Sequence, residues 1–451
     1  MRNFPLHTAL AIVTLGVLLA FLHPPSATQL RGLVEFTPEL TPLSPIARHA
    51  DAAPPLALPH APGGLPHGKT VAAEPLLDDS AGVLDAFYGA LRRTGNREPG
   101  AITRIVHYGD SPTTADLITG DIRALLQARF GDAGHGFILP AKPWAWYQHT
   151  GVTVNGSGWQ NLPASHFEAR DGLFGLGGVS FTGGTNAASK IVFEKAAYTQ
   201  FEVWFLRQPG GGSLTVAADG AALGDVDTAG PTNDADFAVF QAPAPASTLT
   251  LRVAEGRVRL FGVSAENAGT GLVYDSLGLN GASITVLSRM FNQSHWATEL
   301  QHRHPDLVVI NYGTNEADFP AFIDKQYERE LREAIRRVRS ALPATSLLIM
   351  SPMDRGYKAA GEIATMPTIP RIVALQRRVA RETGCGFFDT FQSMGGEGTM
   401  ARWYAAQPRL VSADFIHPYP AGGKTIALAF TREIVSGLNR YQLRESRKAL
   451  R

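Results

Sequence analysis

The apolar positions change their period twice along the chain, dividing it into three textures. Between Ile102 and Val106 a short run reads as a buried strand, and a turn at Gly109 follows. Leu117, Ile118, Ile122, Leu125 and Leu126 then take helical spacing, which predicts a helix running on from Ser111 to about Phe130. An earlier helix is predicted over 81–91, with Leu84, Phe87, Tyr88 and Leu91 on one face. The Gly-rich stretch 131–136 and the aromatics Trp144, Trp146 and Tyr147 read as an irregular loop over a sheet edge. Packing or sugar stacking are the two roles open to those aromatics.

From about Gly151 to Asn267 helical periodicity disappears. Runs at 201–206, 213–216, 237–240, 247–253 and 257–261 alternate with Gly, Pro, Asp and Asn. In the fourth, Leu249, Leu251 and Val253 face one way and Thr248, Thr250 and Arg252 the other, as in a half-buried strand. This pattern predicts an antiparallel β-sandwich inserted into an α/β domain. After Gly269 strands at 272–279, 306–311, 346–350 and 386–389 alternate with helices. Those helices are marked by Tyr327, Leu331, Ile335, Val338 and Leu342, by residues 372–380, and by residues 428–438. Such alternation predicts a parallel sheet covered on both faces.

The N-terminus bears on compartment. Arg2 precedes an uncharged apolar run from Ala9 to Leu22, 14 residues long. That is short for a membrane span of about 20 and suits a signal sequence. Pro24 and Pro25 end it, and Ser26-Ala27 offers small residues for cleavage, although an A-x-A site is missing. Residues 1–27 are read as a signal peptide or an uncleaved anchor, hence an N-terminal membrane tether, and 28–76 as a Pro/Ala-rich linker. The α/β domain is expected at 77–150 and 268–443, the insert at 151–267 and a basic tail at 444–451. A net charge of +1 excludes a long-range basic field for nucleic acid, and the single Cys385 excludes an intramolecular disulfide.

Candidate chemistry falls just past the carboxyl ends of predicted strands. Ser111 follows the first, Gly281 the strand at 272–279, and Asn315 the strand at 306–311, while Asp414 and His417 precede the last helix. In an open parallel sheet these ends share one rim. Asp414-Phe-Ile-His417 sets a carboxylate one turn from an imidazole, close enough to orient it toward a serine hydroxyl. The backbone N–H groups of Ser111 and Gly281 and the amide of Asn315 are candidate donors to an oxyanion, with Gly278 a rival to Gly281. His107 is expected to pack in a strand, and His302 and His304 to sit in a polar turn. No His/Cys/Asp spacing suits a metal and no Gly-rich loop suits a phosphate, so neither metal nor cofactor is expected.

Gly109-Asp110-Ser111, Gly281, Gly313-Thr-Asn315 and Asp414-x-x-His417 resemble, in order, the four blocks of the SGNH (GDSL-type) hydrolases. The resemblance implies a flavodoxin-like α/β/α fold and ester hydrolysis through an acyl-serine. Ser111 is then the nucleophile, His417 the base, Asp414 its orienter, and Ser111, Gly281 and Asn315 the oxyanion hole. An insert between the serine and glycine blocks, with Tyr108–Asp116 and Ser351-Pro-Met-Asp354, resembles the peptidoglycan O-acetylesterases of the Gram-negative envelope. The insert of those enzymes is similar to a carbohydrate-binding module. Pro112, Glu316 and Gly423 depart from that group's usual His, Asp and Tyr. The expectation is an exported esterase of the periplasm or cell envelope acting on an acetylated glycan or a small ester. A glycan O-acetyltransferase with the same triad and a non-catalytic carbohydrate-binding protein on the same fold are the alternatives.

Overall fold

The computed structural model describes residues 75–165 and 171–450; the expected signal segment and nearly all of the linker lie outside them. Three strands come first: β1 (Leu77–Asp78), β2 (Ile102–Gly109) and β3 (Asp132–Ile138). An antiparallel series follows, β4 (Val152–Pro163), β5 (Val179–Phe193), β6 (Tyr198–Arg207), β7 (Ser213–Ala218), β8 (Ala221–Asp227), β9 (Asp234–Ala246), β10 (Thr248–Glu255) and β11 (Val258–Glu266). The chain continues through β12 (Gly271–Gly278), β13 (Leu307–Asn311), β14 (Ser346–Met350), a hairpin of β15 (Gly356–Ala359) and β16 (Glu362–Thr365), and β17 (Gly386–Phe388).

Strands β12, β2, β13, β14 and β17 lie side by side in that order, all parallel. β3 adds outside β12 and β1 closes the other edge against β17. The connection from β2 goes one way, to β12, and the next returns across β2 to β13. The order in which the chain adds strands therefore reverses between β2 and β13, the place where open α/β sheets form a crevice at their carboxyl ends.

Alternation along each central strand sorts its side chains into two layers. Leu307, Val309, Leu348 and Met350 pack with Phe87, Leu91, Ile122, Leu126, Ile426 and Phe430, from the helices Asp85–Gly95, Thr119–Phe130 and Pro420–Ala449. Val308, Ile310, Leu347 and Ile349 pack with Trp296, Leu331, Ile335 and Ile372, from the helices Gln293–Arg303, Glu328–Ala341 and Thr368–Thr383. The result is a helix–sheet–helix body around mostly parallel central strands. The antiparallel strands form two hydrogen-bonded rows, β4–β5–β10–β7–β8 and β9–β6–β11. β11 joins them, pairing with β5 near Val258 and with β6 from Leu260 onward. β11 also pairs with β3, so both rows are continuous with the parallel sheet.

Several expectations need correction. The stretch 131–136 is not a loop but the start of β3. Its glycines serve close approach: a Cβ on Gly136 would lie 2.4 Å from an Asp275 carboxylate oxygen, and one on Gly134 2.6 Å from the Ala265 carbonyl. The helix expected to run on from Ser111 is broken. A turn at Ser111–Thr114 is followed by Asp116 at φ +54° before Thr119–Phe130 begins. The first helix starts at Asp85 rather than Ala81, because Ala81 sits at φ +58°. His302 belongs to the helix Gln293–Arg303, stacked on Phe237 and 2.6 Å from Glu202. The last helix continues through Ala449, with Arg440 paired to Asp79 and Arg444 to Asp85.

Candidate active site

Ser111 is set by its local sequence. β2 ends at Gly109, where a Cβ would lie 2.1 Å from the Thr113 hydroxyl, so the tight turn needs glycine there. Thr114 N donates to the Asp110 carbonyl at 2.9 Å and Ala115 N to that of Ser111 at 3.1 Å, closing one turn with Pro112 inside it. A Cβ on Gly278, at the end of β12, would lie 1.9 Å from Thr114 N, so β12 presses directly on the Ser111 turn. Gly281 lies in the turn beyond, at φ +67°. The two glycines answer different needs, one close packing and the other a left-handed turn.

The partner of Ser111 comes from a closed loop before the last helix. Tyr419 N donates to the Leu410 carbonyl and Ser412 N to that of His417, each at 2.9 Å. Asp414 Oδ1 accepts from the backbone N–H groups of Ile416 (2.9 Å) and His417 (3.0 Å) and from the Ser412 hydroxyl. That leaves Oδ2 to accept from His417 Nδ1 at 2.6 Å. Fixing the proton on Nδ1 makes Nε2 the acceptor, and Ser111 Oγ lies 2.7 Å from it. Gly356 N donates to the Phe415 carbonyl at 2.9 Å, bracing this loop against the β15–β16 hairpin.

The electrostatics follow the hydrogen bonds. The Asp414 hydrogen bond raises the His417 pKa, against a smaller opposing push from burial. Burial pushes the Asp414 pKa upward, but bonds from His417, Ser412 and two backbone N–H groups overcome it and hold the carboxyl well below its ordinary range. Asp414 and His417 side chains are 44% and 37% exposed, whereas Ser111 is buried. Water thus reaches the histidine side of the site while the serine side is packed.

Asn315 Nδ2 donates one hydrogen to the Ala282 carbonyl at 2.8 Å, which orients the amide and leaves its second N–H for another acceptor. Glu316 accepts from Ile284 N at 2.8 Å and Gly313 N at 3.1 Å, binding the loops after β12 and β13 to one another. Burial pushes the Glu316 pKa up to about 7 and that of Asp110, beside Ser111, up to about 6. Arg355 donates to the Thr314 carbonyl and to Asp318, both at 2.6 Å, and its charge bears on His417 and Asp110 alike. Sequence reasoning did not single out Arg355; its place directly after Ser351-Pro-Met-Asp354, on the loop leaving β14, was the available signal.

Ser111 and Asp414 are therefore each within hydrogen-bond reach of His417, and Gly281 and Asn315 lie on loops at the same carboxyl rim. His107 is buried in β2, its Nδ1 2.6 Å from the Tyr274 hydroxyl, and burial lowers its pKa to about 4.

Residues 224–424 match the GDSL-like lipase/acylhydrolase family. That span holds Gly281, Asn315, Asp414 and His417 and begins downstream of Ser111. No curated protein matches the sequence. Among solved structures, a peptidoglycan O-acetylesterase is 24% identical with a TM-score of 0.69, over 81% of this chain and 100% of that one, which shows a shared fold. An acetylxylan esterase from Geobacillus stearothermophilus is 22% identical over 37% of this chain and 73% of its own, at a TM-score of 0.28.

Proposed function

We propose, from the premise that this chain is a GDSL-type serine hydrolase acting on ester bonds, that it removes O-acetyl groups from peptidoglycan or a related polysaccharide. The observation that carries the mechanism is the relay Ser111 Oγ–His417 Nε2 at 2.7 Å and His417 Nδ1–Asp414 Oδ2 at 2.6 Å. His417 takes the hydroxyl proton as Ser111 Oγ attacks the acetyl carbon. The oxyanion is received by the N–H groups of Ser111 and Gly281 and the free N–H of Asn315. His417 then protonates the departing sugar oxygen, leaving an acetyl-serine. A water deprotonated by His417 attacks that ester, and acetate leaves as Ser111 recovers its proton. Glu316 holds the two donor loops in register and Asp414 holds the imidazole tautomer.

The substrate part of the reading is supported by the fold shared with a peptidoglycan O-acetylesterase over most of both chains. We read the two antiparallel rows of β4–β11 as an inserted β-sandwich that holds the glycan near the rim. The apolar run 9–22 and the Pro/Ala-rich stretch after it support export to the envelope, with the N-terminus as signal or tether. The exposure of Asp414 and His417 favours water over a sugar hydroxyl as the second nucleophile, and hence hydrolysis over acetyl transfer.

The test is acetate release by the purified chain from O-acetylated peptidoglycan, acetylated xylan and a simple acetyl ester, with Ser111→Ala as control. Serine-dependent release that is fastest from peptidoglycan is the expected result. Release from the simple ester alone would reject the glycan substrate, and acetyl transfer to a glycan acceptor in place of release would favour the transferase.

A further inference from the structure

We propose that Trp146 is a sugar-stacking platform beside the donor loop and gives the site its preference for acetyl esters borne on a pyranose. This rests on the acetylesterase reading above. Trp146 is 50% exposed, although its ring is among the largest apolar groups a protein can bury. Its Nε1–H donates to Asn280 Oδ1 at 3.0 Å, and Asn280 directly precedes Gly281.

The segment carrying Trp146 is fastened along its length. Leu139 N donates to the Tyr147 hydroxyl at 2.9 Å, and Gln148 N to the Thr114 carbonyl at 3.3 Å. His149 Nδ1 lies 3.0 Å from His135 Nε2, and Thr150 N donates to Asp116 at 2.8 Å. One end of the segment is thus tied to the turn bearing Ser111, and the indole itself to the turn bearing Gly281.

An exposed aromatic on fixed backbone loses little freedom when a ligand covers its face. With its N–H already engaged, the ring offers apolar surface and no spare donor, which suits the C–H face of a pyranose. The neighbouring loops carry the same feature. Phe319, on the loop that bears Asn315, is 62% exposed, and Tyr419, two residues after His417, is 44% exposed. A simple alkyl ester reaching Ser111 has no ring to lay on such a surface, so the platform acts on glycan esters selectively.

The experiment compares wild type, Trp146→Ala and Trp146→Phe on O-acetylated glycan fragments and on methyl acetate. In Trp146→Ala the ratio of glycan kcat/KM to methyl acetate kcat/KM is expected to fall about tenfold, equivalent to about 1.4 kcal/mol, mainly through KM. Trp146→Phe is expected to recover part of it. An unchanged ratio, or equal losses on both substrates, would overturn the proposal; the second result would assign Trp146 to support of the Asn280–Gly281 turn.

Calorimetric titration of Ser111→Ala with the same fragments, with and without Trp146→Ala, reads binding apart from turnover. Binding to Ser111→Ala that depends on Trp146, beside a wild type that releases no acetate from the same fragments, would support the platform and reject the acetylesterase reading. Binding indifferent to Trp146, beside serine-dependent acetate release, would do the reverse.

Discussion

Two histidine–carboxylate clusters in this molecule use similar residues to opposite ends. Around Asp116 everything is buried: Arg123 lies 2.5 Å away, the Thr119 hydroxyl donates at 2.7 Å, and His135 and His149 stand 3.0 Å apart beside it. Burial lowers the His149 pKa to about 4 and that of His135 well below its ordinary value. Around Asp414 the groups are half exposed and the carboxylate bonds directly to the imidazole, so the His417 pKa rises. The difference lies in where each carboxylate spends its oxygens. Asp116 gives both to Arg123, Thr119 and Thr150 N, so it reaches its histidines only through its charge, and burial outweighs that. Asp414 keeps one oxygen for His417. The first arrangement holds neutral histidines in place; the second makes an imidazole able to gain and lose a proton.

Substitutions can break this contrast, and the largest effect is expected at the serine. Ser111→Ala should lower kcat by about 10⁴-fold or more with an unchanged melting temperature, read by ester turnover and thermal unfolding. Asp414→Asn should cost about 10³–10⁴-fold in kcat, because the Nδ1 proton loses its acceptor. The same substitution sharpens the pH test. Imidazolium cannot accept the serine proton, so wild-type activity falls as pH drops through the raised His417 pKa. Without the carboxylate that raises it, the acid limb of the pH–rate profile should move to lower pH.

Arg123→Met should act on stability instead. It strands a buried carboxylate and should cost about 3–5 kcal/mol in denaturant unfolding. Asn315→Ala removes one oxyanion donor and should slow turnover about 100- to 1000-fold with little change in KM. The smallest effect is the pH dependence of the structural cluster. His149 is neutral in the folded chain well below the pH at which it protonates when unfolded. Its contribution should be full above about pH 6.5 and drain away as pH falls toward about 4. A flat stability profile across that window would contradict the buried, neutral state of this histidine.

Much of the body was legible because it rests on short-range regularities. β13 and β14 are near-continuous apolar runs, as strands buried on both faces are, and Leu249, Leu251 and Val253 alternate with polar neighbours as a one-sided strand must. Misreadings arose where glycine served packing rather than turning. Gly134 and Gly136 look like loop residues until β11 and β12 are seen to pass within van der Waals contact. The break after Ser111 was hidden because the apolar spacing of Leu117 and Ile118 continues through it, while Asp116 leaves helical φ to reach Arg123.

For the site, the sequence by itself determined the residue types and their strand-end positions: a Ser after β2, an Asn after β13, and an Asp three residues before a His. Those are properties of spacing and local turn chemistry. Only the tertiary structure decided that Ser111 and His417, 306 residues apart, come to 2.7 Å. It alone decided that Glu316 knots two loops, that Arg355 reaches the rim, and that Trp146 is left facing solvent while the adjoining Tyr147 is buried. Each of these depends on which chain segments the reversal between β2 and β13 brings to one edge, and on how much water is removed around each group. Burial and long-range proximity are properties of the packed whole, and no local pattern of residues encodes them.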